Sequence, residues 1–524
     1  MLHTLLGDDT FTRGVQTYLR ENDGKAATVE DFVRAMETVS GRTLSQFYRW
    51  FGLHSRALSV RSAGTPEVKV AKESFDERAR QYKLTLAQSP ASTPGQPAES
   101  KRPFLIPVTV GLLGRDGQPI HSQLSDSDPE LASHTLELSD VEQSFVFNNV
   151  ASKPVLSVLR HFSAPVKLVH QQTKEDRLLL LRHDTDAFNR WESCQHLALD
   201  AALALVEQQA TSPDVDPSQV DPQFVEALGS VLKSVLDSPG LNDNAFIARL
   251  LSLPSESYIG QQMAVLDVVR VHKARKALKA VIGKEHRKHL ERVYDKFHEL
   301  VPIDFSDEPG RGKREVKNMA LDYLMHGDLH EGRTDATSRC TQQFGDARNM
   351  TDKLAALTLL AHMPQTQREA VKALDKSLQE WSQDLLLMNK WFRIQATAPL
   401  MDRTLTVVKE LTKHPQYHAK NPNNIYSLVG GFVMANQYCF HGAPEQSYAF
   451  LASQITLLNT VNPQVAARLV KAMEDVVRLP QRNREVAAAQ LQTLLDMPGL
   501  AKEVYEVASR CHTAAVAGPA NRSH

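Results

Sequence analysis

Apolar positions recur along this chain with two different periods, and the change between them divides it. In TVEDFVRAMETVSG, Phe32, Met36 and Val39 fall at i, i+4 and i+7, the spacing that lines one face of a helix. Thr28 stands where a cap is needed, with Asp31 three residues on to complete a capping box, and Gly41 stands where the helix should stop. A second short helix is expected over LSQFYRWF from Leu44, so residues 1–53 read as helical. From about Ala57 to Val169 the period falls to two. ALSVRS, QYKLTLAQ, FLIPVTVGLL, HTLELSD, QSFVFNNV and VLSVLRHF are short β-branched and aromatic runs, separated by turns such as Gly114-Arg115-Asp116-Gly117. They predict a small antiparallel β-sandwich over residues 54–169, with the Pro- and Ser-rich stretch 89–100 as a long hairpin connection.

After residue 170 the helical period returns and persists to residue 524. LALDAALALVEQ, DPQFVEALGSVLKSVL, VLDVVRVHKARKALKAVI, TDKLAALTLLAHM, MDRTLTVVKELTK and VAARLVKAMEDVVRL all carry it. Many helices of similar length joined by short Pro/Asn/Gly/Asp loops predict helix pairs stacked into a superhelical solenoid, although no strict sequence repeat is visible. In TDKLAALTLLAHM, Thr351 is placed to cap a core helix bearing Leu354, Leu357 and Leu359. Trp381 and Trp391 read as packing anchors.

Composition narrows the function. Lys and Arg number 60 against 61 Asp and Glu, so no global field favours nucleic acid or an acidic membrane. The basic group Lys284, Arg287, Lys288 and Arg292 is interleaved with Glu285 and Glu291 and reads as a solvated helix face. Four cysteines without Cys-x-x-Cys spacing suit a reducing compartment, and no apolar run is long enough to span a bilayer. The expectation is a soluble, cytoplasmic, monomeric protein.

Candidate chemistry is sparse. The H-E-x-x-H zinc helix, the Gly-x-Ser-x-Gly elbow, phosphate loops and dinucleotide loops are all absent, and no cysteine sits in a nucleophile context. His298 opens HELVP, where no second histidine follows. His326 and His330 are four apart, but Gly327 and Asp328 between them read as a helix end. His286 and His289 read as surface histidines, and His441 as a hydrogen-bonded structural one. No catalytic residue and no metal ligand is expected in these residues.

Specific stretches carry a resemblance. GDD.F..G...Y...NDGKAAT.EDFV.AME, SAPVKL (163–168), LRH with FNRW, NMTDKLAAL (349–357), KWFRIQATAP (390–399), NPNNIYSLVGGF (421–432) and NPQVAARL (462–469) stand in order along the chain. Together they resemble the C-terminal half of the bacterial-type alanyl aminopeptidases of the M1 zinc metallopeptidase family. The resemblance implies a multidomain fold: the last helices of a thermolysin-like catalytic domain (1–53), an Ig-like sandwich (54–169) and an α-helical superhelix (170–524). It also implies that MLHTLLGDD is an internal helix whose apolar face expects a catalytic domain to cover it. The family's zinc ligands and catalytic groups would lie before Met1, and zinc would belong to the full-length enzyme.

The same resemblance implies that the helical array closes a substrate chamber for peptides and that Gln464 and Arg468 face it. Elementary chemistry is compatible, since residues four apart share a helix face, and Gln and Arg suit peptide amides and carboxylates. Tyr426 stands where the family pattern carries an arginine, keeping a hydrogen-bonding tip without the charge. Asn424 also replaces a basic residue, and WFGLHSRALSV departs from the pattern at the start of the sandwich. The expected function is the inactive-alone, chamber-forming part of an enzyme that releases N-terminal residues from peptides. The alternatives are a stand-alone solenoid scaffold and a half-enzyme completed in trans by a separate catalytic domain.

Overall fold

The structure, a computed structural model, describes residues 1–51, 64–93, 96–125, 127–210, 212, 215–237, 243–298 and 308–518. The expected strand ALSVRS and the residues following His298 lie outside these. The chain forms two compact units, Met1–Leu197 and Ala198–His524.

The first unit opens with helices Leu2–Leu6, Asp8–Asn22 and Val29–Ser40 and a 3-10 turn at Phe47–Phe51. The capping box forms as the sequence predicts: Asp31 N donates to Thr28 Oγ1 at 3.3 Å, and Thr28 N donates to Asp31 Oδ2 at 2.9 Å. Gly41 closes the helix with φ 66°, a left-handed conformation that costs glycine nothing. Val33 and Met36 are fully buried, while Phe32 and Val39 are half-buried, so the apolar stripe is turned slightly from its expected centre. Leu2 and Leu5 are buried against Val33, Met36, Leu44, Phe47 and Leu105. Of the apolar face expected to be covered by a catalytic domain, Leu2 and Leu5 are covered by the chain's own residues, while Met1 and Leu6 are half-buried.

Eight strands follow: β1 (Pro66–Asp76), β2 (Gln81–Pro90), β3 (Ile106–Leu113), β4 (Pro119–Ile120), β5 (Ser133–Leu138), β6 (Glu142–Phe147), β7 (Val155–Val158) and β8 (Lys167–Val169). One sheet runs β6-β2-β1-β8; in the other, β3 pairs with β4, β5 and β7. Val68, Leu84, Leu86, Val108, Val110, Leu138 and Phe147 fill the space between them, and β3 is buried along its whole length. All pairings are antiparallel except β1 with β8, which is parallel. The stretch 89–100 is not a hairpin connection, since β2 and β3 belong to different sheets. β1 is absent from the expected strands; Val68 is buried in the core and Val70 and Phe75 pack on it half-buried, while Lys69, Lys72, Glu73 and Asp76 are exposed. VLSVLRHF is a strand only to Val158; Leu159, His161 and Phe162 take positive φ and turn the chain. There Arg160 is buried against Asp184 at 3.3 Å, and His161 N donates to Asp186 Oδ2 at 2.9 Å. Strand gives way to helix after Val169, yet packing with the sandwich continues: Leu180 of helix Lys174–His183 is buried with Leu113 and Val155.

Among the described residues of the second unit, every regular element is a helix. Two helices open on the same device, an Asn-Pro pair. Asn421 caps Pro422–Ala435 and Asn462 caps Pro463–Val470, each side chain accepting from a backbone N–H two or three residues on. Asn349, not Thr351, caps Met350–His362, because Asn349 Oδ1 accepts from Asp352 N at 2.9 Å. Asp352 is itself buried and meets Lys317 Nζ at 2.7 Å. Glu308–Glu331 runs straight through Gly327 and Asp328, where a helix end is expected from the sequence. A Cβ on Gly327 would stand 2.8 Å from the Gly283 carbonyl carbon, so the glycine serves close approach of two helices and not termination. Gly332, with φ 67°, ends the helix instead. Of the basic group, Lys284, Lys288 and Arg292 are exposed as a solvated face requires, whereas Arg287 is 13% exposed and pairs with Asp328, Glu291 and Asp335. His286 is half-buried and hydrogen-bonded to the Val225 carbonyl. Trp381 and Trp391 are buried, and Trp391 Nε1 donates to the Leu374 carbonyl at 3.0 Å.

Candidate functional site

The Asn-Pro caps fix where the three expected substrate-facing residues emerge. Tyr426 lies one turn into Pro422–Ala435, while Gln464 and Arg468 lie one turn apart on Pro463–Val470. The structure brings Tyr426 and Arg468 together: the Arg468 guanidinium sits over the Tyr426 ring, 4.8 Å from its centroid. Arg468 and Gln464 are exposed, Tyr426 is half-exposed, and neither Gln464 nor Arg468 has a hydrogen-bond or ion-pair partner among the described residues. Their neighbours on the inner face, Val465, Leu469 and Val470, are buried, which locks the helix and leaves the polar pair projecting from a rigid base. Such a pair offers an amide and a guanidinium to a peptide, the guanidinium held in place by a ring. Asn424 is placed differently: it is fully buried, accepts from His418 N at 2.9 Å and donates to Asn389 Oδ1 at 2.6 Å. It is part of the scaffold.

A second feature is visible only in three dimensions. Helices Glu256–Gln261, Val268–Glu285, Glu308–Glu331 and Met350–His362, with the turn at 397–403 and residues 434–438, line a solvent-open cavity of about 1150 Å³. Glu256 Oε1 meets His272 Nδ1 at 2.8 Å, and the His272 ring stacks on Tyr438 with centroids 4.0 Å apart. Asp322 holds Lys279 Nζ at 2.5 Å and His326 Nδ1 at 3.2 Å. Burial pushes the Asp322 carboxyl up, but Lys279 and His326 outweigh it and hold it below the usual carboxylate range. Burial pushes His326 and His362 down, His362 to about 4, so both favour the neutral form. The sequence carries a trace of this wall: His272, Arg275, Lys276 and Lys279 fall at i, i+3, i+4 and i+7, although the segment reads first as an apolar helix. Leu354 and Leu359, expected in a core, instead line the cavity.

His441 is fully enclosed, its Nδ1 2.8 Å from the Tyr448 hydroxyl, and burial pushes it down to about 3. It lies within helix Gln437–Gly442 and serves as a hydrogen-bonded structural histidine. All four cysteines are buried and unpaired. Among the described residues no cluster of three His, Cys, Asp or Glu side chains is placed to hold a metal ion. No helix among them is long and apolar enough to cross a membrane.

An Ig-like sandwich followed by a long helical array of ARM type defines the class, and family models match in that order. The model described as domain of unknown function (DUF3458) Ig-like fold covers residues 64–171. That described as domain of unknown function (DUF3458_C) ARM repeats covers residues 174–513, and the chain belongs to this family. Aminopeptidase N of Escherichia coli is 33% identical over 97% of this chain and 54% of its own length. Aminopeptidase N of Caulobacter vibrioides is 34% identical over the same shares. The crystal structure of Legionella pneumophila aminopeptidase A in complex with aspartic acid superposes with a TM-score of 0.77 at 25% identity, covering 97% of this chain and 55% of that one. The chain thus resembles the C-terminal half of aminopeptidase N, and it spans about half the length of these relatives.

Proposed function

We propose that this chain is the chamber-forming C-terminal part of an M1-type zinc aminopeptidase that releases N-terminal residues from peptides. The observation that carries the reading is the Tyr426–Arg468 contact beside Gln464, which sets two uncommitted hydrogen-bonding groups on a rigid helical wall. In this reading Gln464 engages a peptide amide, Arg468 a peptide carbonyl or carboxylate, and Tyr426 holds the guanidinium by its ring face. Tyr426 takes over part of the role of a second cation by fixing the direction of the first. In enzymes of this kind zinc polarises the scissile carbonyl and activates water. In this reading the metal belongs to a zinc-bearing N-terminal catalytic domain, in the same polypeptide or supplied in trans, and the chain without that partner is inactive. The test is hydrolysis of alanine p-nitroanilide and of a tripeptide by the chain paired with such a domain. Arg468→Gln should raise KM for the tripeptide about tenfold and leave the p-nitroanilide nearly unchanged, since only the longer substrate reaches it.

A further inference from the structure

The cavity in the second unit is lined by more cationic side chains than carboxylates. Five cationic side chains line it against three carboxylates, Glu256, Asp322 and Asp402. Two of the acids are committed, Glu256 to His272 and Asp322 to Lys279 and His326. Arg275 spends its Nε on the Pro254 carbonyl at 2.8 Å, and Arg403 spends one Nη on Gln367 at 2.8 Å. Lys276 has no hydrogen-bond or ion-pair partner among the described residues, although it is half-buried on the cavity wall beside Arg275. Burial pushes its ammonium below the ordinary lysine range. A desolvated, unpaired cation is costly, and an anion that fills the space would offset that cost.

We propose that this cavity binds a short peptide through a carboxylate that pairs with Lys276 and Arg275. The volume, about 1150 Å³, exceeds what one amino acid fills and matches an elongated ligand of a few residues. The wall suits a peptide, because Leu354, Leu359 and Met434 offer apolar surface for side chains beside the cations. The choice of a peptide rests on the aminopeptidase reading; the anion site itself does not. Lys276 is on a different helix from Gln464 and Arg468, and no lining residue is shared with that pair.

Calorimetric titration of the 524-residue chain tests this without any hydrolysis. The probes are tetra-alanine as free acid, tetra-alanine amide, and N-acetyl-Ala-Asp-Ala amide. The free acid should bind at least about tenfold more tightly than tetra-alanine amide. Binding of the aspartyl peptide at the strength of the free acid would assign the carboxylate to a side chain; its failure would assign it to the chain terminus. Lys276→Gln should weaken the carboxylate-bearing probe about tenfold without lowering the melting temperature, and Lys276→Arg should retain binding. Equal binding of acid and amide, no binding of any probe, or a preference lost in Arg468→Gln but kept in Lys276→Gln would overturn the proposal. The last outcome would leave the Tyr426 site standing, so the two readings fail separately.

Discussion

The Arg468 guanidinium lies over the face of Tyr426, with 4.8 Å between the guanidinium carbon and the ring centroid. The ring supplies the attraction and the hydroxyl plays no part in it, which separates two substitutions. Tyr426→Phe should leave both stability and peptide KM near the parent values. Tyr426→Ala should lose about 0.5–1 kcal/mol at this exposed site and raise the KM of a tripeptide severalfold in the paired enzyme. Thermal melts and steady-state kinetics on the two variants check this.

Lys317 and Asp352 form an ion pair 2.7 Å long in which both side chains are at least 95% buried. Asn318 and Asn349 also donate to the Asp352 carboxylate, at 3.0 and 2.9 Å. Asp352→Ala should therefore cost about 3–5 kcal/mol, because it leaves a buried ammonium alone. The double variant Lys317→Met/Asp352→Leu should recover much of the loss. Denaturant unfolding of the single and double variants measures the difference.

Gly283 and Gly327 face each other where helices Val268–Glu285 and Glu308–Glu331 touch. A Cβ at Gly283 would run into the Tyr323 carbonyl, which is backbone and cannot swing aside. Gly283→Ala should destabilise by about 1–3 kcal/mol or more, against the usual gain from replacing a helical glycine by alanine. Gly345, with nothing near its Cβ position, should show the ordinary gain of about 0.5–1 kcal/mol as Gly345→Ala.

His441 is buried and neutral, its pKa pushed down to about 3 by burial, whereas an unfolded histidine titrates near 6.5. Between these values the unfolded chain binds a proton that the folded chain refuses, so stability falls as pH drops from about 6.5 towards 3 and is flat above 6.5. At pH 5 the loss from this residue is about 2 kcal/mol relative to pH 7. His441→Gln should flatten the acid limb of the melting-temperature profile by that amount while lowering stability at pH 7 through the lost Tyr448 contact.

Much of the architecture can be read from residue order, and the failures share a cause. Thr28, Asp31 and Gly41 announce a helix and its ends because capping is a local interaction. A continuous apolar run announces β3, which is buried along its length, and alternation announces β5, which turns every second residue to the core. β1 escapes because most of it is exposed and its pairing is made by backbone groups, which leave no mark on side-chain pattern. Gly327 misleads because a glycine demanded by a neighbouring helix looks the same as one that stops its own. Tyr426, Gln464 and Arg468 could be proposed from motif resemblance, but the ring contact between two of them joins residues 42 positions apart. The cavity is assembled from at least four helices and a turn, so only the 272, 275, 276, 279 spacing hints at it.

The most direct test is the peptidase assay itself, with alanine p-nitroanilide and a tripeptide, on the chain alone with added zinc and on the chain mixed with a separately produced M1 N-terminal catalytic domain. Hydrolysis absent from the chain alone, present in the mixture and sensitive to Arg468→Gln for the tripeptide is the expected result. Zinc-dependent hydrolysis by the chain alone, or activity in the mixture indifferent to Arg468→Gln, would contradict the assignment of this chain as an inactive wall of the substrate chamber.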